Sequence, residues 1–267
     1  ASVVAAVVRA LGLVGTKSSL ASLAEYGSDN RAEVVAELIR CWVRFDQVAF
    51  SGLVMKDNTL LDGSAILPLT CLRALLSVKH KAKKFSLRLD GSEIGNIPKS
   101  AEEGLIRLVV NASQHTTAGD LDRIASFVSL ERLEIGGTDA SNLDISVLSS
   151  SCAGEMRIGP FAAGGPRAVF PLERVQNLTL TGLEVVQLVD RDLPNVRRLV
   201  LNDMSTSLKV RLTGLQELQV QGSWEQARIV VSDSTSASVE SLTWVSSDVV
   251  MRGEWPRLKR LRSEERR

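Results

Sequence analysis

The hydrophobic positions of this chain follow two different periods. From residue 2 to about residue 55, apolar residues recur at the three- and four-residue spacing of a helix. From about residue 84 onward they recur in a short frame, L-x-x-L-x-L, whose last three positions alternate between apolar and polar. The pattern therefore predicts a helical segment followed by a long series of strands, each buried on one face.

The helical segment begins with two short predicted helices. The first would bury a broad face made of five aliphatic residues, Val3, Val4, Val7, Val8 and Leu11. Gly12 or Gly15 can end this helix, because glycine tolerates the conformation found at helix ends. A second helix, predicted over residues 17–26, would be closed by Gly27.

Two further helices complete this segment. The third would begin after Asp29 or Asn30, either of which can cap it. Its apolar stripe consists of Val34, Val35, Leu38, Ile39 and Trp42. The fourth is predicted over residues 47–54. Because helices this short bury their apolar faces by stacking on one another, the segment is typical of a helical repeat.

The strand frame recurs nine times. When the second leucine of each frame is taken as its anchor, the anchors are Leu87, Leu108, Leu133, Met156, Leu178, Leu199, Leu218, Leu242 and Leu261. Successive anchors lie 19 to 25 residues apart, which is the range of leucine-rich repeats. The anchor and the residue two positions later would face a core, and the residues on either side of the anchor would face solvent. Neighbouring frames are expected to pair as parallel strands, so the series predicts a solenoid.

The segments that connect the frames predict a change of structure along the array. Residues 121–128 have helical spacing, as do residues 143–148 less clearly, so the early returns should be helical. The later returns alternate instead and predict short strands at residues 185–190, 208–212, 227–232 and 248–252. The glycine-rich loop at residues 162–168 is the expected changeover, beyond which the array should be thinner and flatter. Leucine-rich repeats usually carry an asparagine three residues after the third leucine of the frame. That asparagine is missing here; in the frame anchored at Leu133, for example, Thr138 takes its place. We therefore expect an irregular solenoid.

Composition and charge restrict the function only weakly. The 267 residues carry a net charge of +1, which gives no bulk electrostatic reason to favour nucleic acid or an anionic membrane. Cys41, Cys71 and Cys152 are odd in number and widely spaced, which favours a reducing compartment over a disulfide framework. No apolar run reaches membrane-spanning length, so we expect a soluble, cytoplasmic protein. We interpret the basic run at residues 79–84 as solvated. The C-terminal stretch is also basic, but Leu258 and Leu261 predict that its first part packs against the repeats.

Candidate catalytic and metal-binding residues are scarce. Neither His80 nor His115 has a partner at metal-ligand spacing. The glycine-rich stretch lacks the lysine of a phosphate-binding loop. Asp190 and Asp192 are close in sequence but flank Arg191 in a predicted turn, where solvation is the simpler interpretation. We therefore expect no catalysis, no metal and no cofactor in this chain.

The inner, concave face of the predicted strands is the best candidate for a binding surface. Arginine is frequent there, and its five donors and planar face favour protein interfaces. The candidate binding residues are Arg88, Arg107, Arg132, Glu134, Arg157, Thr179, Arg198 and Gln219. We expect a protein or peptide partner, although solvent-facing strand positions are also polar when they bind nothing.

Two stretches of the helical segment carry a resemblance to a known family. ALGLVGTKSSLASLAEYG and VVAELIRCWVRFDQVAFSGLV look like a HEAT-type repeat. Trp42, Phe45 and Asp46, with Phe50 nearby, resemble the W-x-x-F-D stretch that follows the NTPase module of bacterial NACHT proteins of the STAND class. In that family such a segment often precedes leucine-rich repeats. An all-α cap on a repeat domain would explain the same residues without a family relation.

The resemblance implies an α/β solenoid with a HEAT-like helical segment at residues 1–75 and about nine leucine-rich repeats at residues 76–267. It implies the sensor region of a bacterial NACHT/STAND NTPase, in which ligand binding relieves inhibition of the attached NTPase in signalling or antiviral defence. No Walker motif lies in these residues, so the NTPase module would be an intramolecular partner outside them. The alternative is a stand-alone leucine-rich repeat scaffold that binds protein partners.

Overall fold

A computed structural model describes residues 2–29, 31–55, 66–77, 84–204, 206–222, 228–245, 248–251 and 254–264. The expectations for Asn30, His80 and residues 79–83 of the basic run lie outside these residues. The chain divides into two compact units. Unit 1 comprises Ala1–Leu89 and Ile97–Leu108, and unit 2 comprises Asp90–Asn96 and Val109–Arg267.

Unit 1 contains the four predicted helices and a fifth short one. They are α1 (Val3–Val14), α2 (Lys17–Ala24), α3 (Ala32–Trp42), α4 (Gln47–Leu53) and α5 (Leu72–Ser77). Helix α1 ends at Gly15, which adopts a φ of 66° and donates its N–H to the Leu11 carbonyl. The predicted stripe of α3 is confirmed at four of its five residues, because Val34, Leu38, Ile39 and Trp42 are buried, whereas Val35 is half-buried.

The predicted inward face of α1 is wrong in part. Its buried residues are Ala5, Val8 and Gly12, whereas Val3 is 80% exposed. The reason is a close approach of α1 to α3: a Cβ added to Gly12 would lie 2.1 Å from the Cys41 sulfur. Helix α1 therefore packs against α3 through the face that carries its small residues, and Val3 and Val7 remain exposed.

The predicted cap of α3 is also wrong at Asp29. The residue at the cap position is Arg31, which makes no side-chain capping bond. Asp29 instead accepts hydrogen bonds from the Arg31 guanidinium and from its backbone N–H. These bonds lower the pKa of Asp29 to about 2. The carboxylate is thus used to hold the loop before the helix.

The W-x-x-F-D stretch forms the turn between α3 and α4. The Asp46 side chain accepts from the Ala49 N–H at 2.8 Å and so caps α4. The Trp42 indole donates to the Gln47 carbonyl at 3.2 Å. The Phe50 ring lies 6.3 Å from the Trp42 ring and 5.6 Å from the Phe45 ring. The spacing of this motif therefore has a structural explanation within the turn.

All nine predicted strands form, and they belong to one parallel sheet of ten strands. The sheet consists of β1 (Ile66–Pro68), β2 (Phe85–Asp90), β3 (Leu105–Ala112), β4 (Arg132–Gly137), β5 (Glu155–Phe161), β6 (Asn177–Thr181), β8 (Arg198–Asn202), β10 (Glu217–Gln221), β12 (Ser241–Val245) and β14 (Arg260–Glu264), in that order. The predicted parallel sheet is thus confirmed. The strand that the frame missed is β1, which pairs with β2 through Leu67 and Leu87.

The anchors of unit 2 stand opposite one another in the pairing register. Leu199, for example, faces Leu178 on one side and Leu218 on the other. The three apolar positions of that frame, Val196, Leu199 and Leu201, are buried. One ladder of aliphatic side chains therefore runs beneath this part of the sheet.

The expectation that Leu261 packs is wrong, because its side chain is 59% exposed. Strand β14 pairs with β12 and is the last strand in the order of the sheet. Among the described residues, no return segment follows β14 to cover its apolar side. Leu258, just before this strand, is half-buried.

The predicted change of the returns is confirmed in unit 2. Between β3 and β4 the chain forms α6 (Ala118–Ala125), and between β4 and β5 it forms a 3₁₀ helix (Ile145–Ser150). The later returns form β7 (Gln187–Val189), β9 (Leu208–Arg211), β11 (Arg228–Val231) and β13 (Asp248–Met251), which make a second parallel sheet in the order β13-β11-β9-β7. A one-turn helix, α7 (Asp233–Ser236), follows β11. The loop at residues 162–168 lies between the last helical return and the first strand return, without helix or strand of its own.

Three more 3₁₀ helices complete the described secondary structure, at Leu69–Cys71, Gly91–Asn96 and Lys99–Ala101. Within the described ranges, no helix combines the length and the apolar character needed to cross a membrane.

Candidate interaction surface

Strand alternation in unit 2 places polar side chains along one side of the ten-stranded sheet. We define the polar face as the residues immediately before and after each anchor in β4, β5, β6, β8, β10 and β12. They are Arg132, Glu134, Glu155, Arg157, Asn177, Thr179, Arg198, Val200, Glu217, Gln219, Ser241 and Thr243. Each is exposed or half-buried, whereas the anchors between them are buried. Six of the eight residues predicted from the sequence lie on this face.

An ion-paired group lies at the β4 end of the polar face. Arg132 stands opposite Glu155 in the strand register, and its Nε lies 3.0 Å from Glu155 Oε2. Arg157 Nη2 lies 3.3 Å from Glu155 Oε1. The two arginine side chains remain 57% and 52% exposed. Since a guanidinium has five donors, both can still bind a partner while they pair with Glu155.

A second ion pair joins β8 to β10. Arg198 stands opposite Glu217, and Arg198 Nε lies 3.2 Å from Glu217 Oε2. Between this pair and the Glu155 group, β6 contributes the uncharged Asn177 and Thr179. The polar face thus alternates charged and neutral strips, which suits a partner with its own mixed polar surface.

Arg88 and Arg107, the other two predicted binding residues, belong to unit 1. Arg88 lies on β2 opposite Pro68 and is exposed. Arg107 lies on β3 and is half-buried. Both occupy the strand positions that the frame assigned to them.

Sequence reasoning missed the residue three positions after the anchor, which lies on the same side of the strand as the polar face. At this position in β8, Asn202 donates through Nδ2 to Thr181 Oγ1 at 3.5 Å. Asn202 Oδ1 is buried and has no hydrogen-bond partner within the described part of the chain. Buried polar atoms are usually paired, so this unpaired acceptor is an unusual feature of the sheet, and its burial keeps it from direct contact with a ligand. The alternation of LVLN is the signal that points to this side chain.

The residues considered for catalysis or metal binding either face solvent or form hydrogen bonds and ion pairs within loops. His115 is exposed and lies beside Gln114. Asp190 accepts from the Thr213 N–H at 2.8 Å, and Asp192 lies 3.2 Å from the Arg191 Nε. No group of three potential metal ligands occurs among the residues that the structure describes.

The three cysteines are free thiols. Burial raises the pKa of Cys71 to about 11 and also raises that of Cys41. At neutral pH these two thiols are therefore protonated, and a protonated thiol is a poor nucleophile.

Comparison with protein-family models, with curated proteins and with solved structures finds no match to this chain.

Proposed function

We propose that this chain is the recognition region of a bacterial NACHT/STAND-type signalling or defence NTPase, and that a protein or peptide binds across the polar face. The chain would be an α/β solenoid, with HEAT-like helices followed by irregular leucine-rich repeats. The observation that carries the proposal is the polar face itself. Its strands are in register, and its arginine side chains stay about half exposed although they are ion-paired.

The charge pattern supports a protein partner over a small molecule. Arg132, Arg157 and Arg198 are separated by glutamates and by uncharged side chains, which matches another protein's mixture of charges. Arginine is enriched at such interfaces, and the polar face offers contacts over several strands. In the full protein, binding at this face would release the NTPase module from inhibition by this region.

Charge reversal on the polar face tests the proposal. The test variant is Arg132→Glu with Arg157→Glu in the parent protein. The matched control is Arg174→Glu with Arg191→Glu, which makes the same charge change at exposed positions on the connections. Thermal unfolding of both variants shows whether the fold is kept. Survival of producing cells under phage challenge, together with NTPase activity, gives the functional readout.

We expect the face variant to lose protection and NTPase activation while the control keeps both. If the face variant kept unchanged NTPase activation, the polar face would not be the binding surface. The scaffold alternative predicts a parent protein without a phosphate-binding loop, and a face variant that loses a binding partner without any change in nucleotide hydrolysis.

A further inference from the structure

Unit 1 contains a pocket that the polar face does not use. It lies in the groove between α1 and α3 and has a volume of about 380 Å³. This volume falls within the range of small-molecule sites. The lining residues are Arg9, Leu13, Glu37, Arg40, Cys41 and Arg44.

The close packing of the two helices builds the floor of the pocket. Gly12 allows α1 to approach Cys41 on α3, and the Cys41 thiol donates to the Val8 carbonyl at 3.5 Å. Leu13, one residue further along α1, is 62% exposed and supplies an apolar wall. The pocket therefore has an apolar side formed by Leu13 and Cys41, and its other four lining residues are charged.

Glu37 holds two of the arginines in place. Its side chain is buried, and it accepts from Arg9 Nε at 3.2 Å and from Arg9 Nη2 at 2.6 Å. Arg40 Nη1 donates to the same carboxylate. The Arg9 hydrogen bonds keep the pKa of Glu37 below its usual range, so the carboxylate is ionised at neutral pH. The guanidinium groups of Arg9 and Arg40 are thereby fixed beside the pocket.

The pocket carries more positive charge than the carboxylate of Glu37 can neutralise. Three arginines face one glutamate, which leaves a net charge of +2. Arg44 is exposed, and among the described residues its side chain makes no hydrogen bond and no ion pair. The C-terminal ends of α1 and α3 lie nearby and contribute a partial charge of about −0.5 each. Even with both subtracted, a positive charge remains for a ligand.

We propose that this pocket binds a small molecule through a phosphoryl group. Among the described residues, Arg44 makes no hydrogen bond or ion pair, and the bonds to Glu37 leave Arg9 Nη1 and Arg40 Nε and Nη2 available. Guanidinium groups match the geometry of phosphate oxygens, and the positive charge that remains in the pocket favours an anion. The apolar part of the ligand would lie against Leu13.

Calorimetric titration of the whole chain with phenyl phosphate tests this site. Phenyl phosphate is the probe because it combines a phosphoryl dianion with a ring that can contact Leu13. We expect saturable binding that Arg44→Gln weakens by about 10-fold or more, as expected for a charge-assisted hydrogen bond. Arg44→Lys should restore part of the affinity. Arg174→Gln, which removes an exposed arginine elsewhere, should leave binding unchanged.

Two results would overturn the proposal. One is the absence of saturable binding at millimolar phenyl phosphate, and the other is equal affinity in the Arg44→Gln variant. Benzoate tests the ligand class, because it offers the same ring with a monoanionic carboxylate. Binding of benzoate as tight as that of phenyl phosphate would contradict the assignment to a phosphoryl group. Arg44 is exposed and has no described structural bond, so loss of folding does not confound its variants.

Discussion

Two parts of unit 2 contribute strands to the same ten-stranded sheet but connect those strands differently. Between β3 and β5 the chain returns through α6 and a 3₁₀ helix, and beyond β6 it returns through strands. A helix satisfies most of its backbone groups internally, so fewer of them remain to bond a neighbouring return. The 3₁₀ helix bonds the next connection at its start, where the Ile145 N–H donates to the Ala168 carbonyl at 2.7 Å. A strand satisfies its backbone groups through its neighbours, so the strand returns are hydrogen-bonded to one another as a second sheet.

The length of each turn reflects this difference. The turn from Leu108 to Leu133, which contains α6, takes 25 residues, whereas the turn from Leu199 to Leu218, which contains β9, takes 19. A helix advances about 1.5 Å per residue and a strand about 3.3 Å, so a helical return needs more residues to cover the same sheet. The turn from Leu218 to Leu242 takes 24 residues and contains α7 in addition to β11. Anchor spacing therefore carries information about the type of return.

The largest expected effect comes from proline in the second sheet. The Lys209 side chain on β9 is exposed, and its N–H donates to the Val186 carbonyl at 3.0 Å. Lys209→Pro removes this donor in a strand that pairs on both sides, so we expect a loss of about 3 kcal/mol of unfolding free energy. Urea unfolding measures the loss, and hydrogen exchange should show faster exchange in β7 and β11.

The matched change in the helical half should be tolerated. Ala118 is the first residue of α6, where the N–H has no partner within the helix, and Thr117 before it already has an extended conformation. Ala118→Pro should therefore change stability by less than about 0.5 kcal/mol. Lys209→Ala controls for loss of the lysine side chain and should be equally mild. If Lys209→Pro were as mild as Ala118→Pro, backbone pairing of the strand returns would not hold this half together.

Much of this fold could be predicted because the frame repeats. One L-x-x-L-x-L frame is ambiguous, but nine in series predict the strands, their alternation and their parallel order. The switch from helical to strand returns is also visible, because the apolar period changes from that of a helix to two. The turn after the strand has a signal too, since Gly182 and Asp203 occupy the same frame position and both have positive φ.

Features that depend on a single tertiary contact could not be predicted. The inward face of α1 depends on how closely Gly12 approaches Cys41, and sequence alone does not show which helix α1 packs against. Strand β1 has only three residues and no frame of its own. On the candidate surface, the positions of Arg132 and Arg157 followed from alternation, but their shared pairing with Glu155 depends on the register between β4 and β5.

An intermediate effect is expected at a buried hydroxyl in the strand-return half. Thr235 is fully buried, and its hydroxyl donates to the Val210 carbonyl at 3.2 Å and accepts from the Leu212 N–H at 2.8 Å. Thr235→Val keeps the shape but leaves two backbone groups of the preceding turn without this partner. We expect a loss of about 1–3 kcal/mol, measured by urea unfolding.

Thr138 gives the corresponding contrast at a helical return. Its hydroxyl makes a long 3.4 Å bond to the Ala112 carbonyl, which also accepts from the Thr138 N–H at 2.9 Å. The side chain is exposed, so Thr138→Val should cost less than about 0.5 kcal/mol. If Thr235→Val lost no more unfolding free energy than Thr138→Val, the bonds of the buried hydroxyl to Val210 and Leu212 would not stabilise this half.

Small effects that depend on salt are expected at the ion pairs of the polar face. Glu155 accepts from two arginines and is 25% exposed, whereas Glu217 accepts from one and is 41% exposed. We expect Glu155→Gln to cost at most about 1 kcal/mol and Glu217→Gln less, with both costs reduced by salt. Urea unfolding at low and high ionic strength measures them. A cost of several kcal/mol at Glu155 would mean that Arg132 and Arg157 serve to lock β4 to β5. A small cost would leave their guanidinium groups available to a partner, as the proposed recognition surface requires.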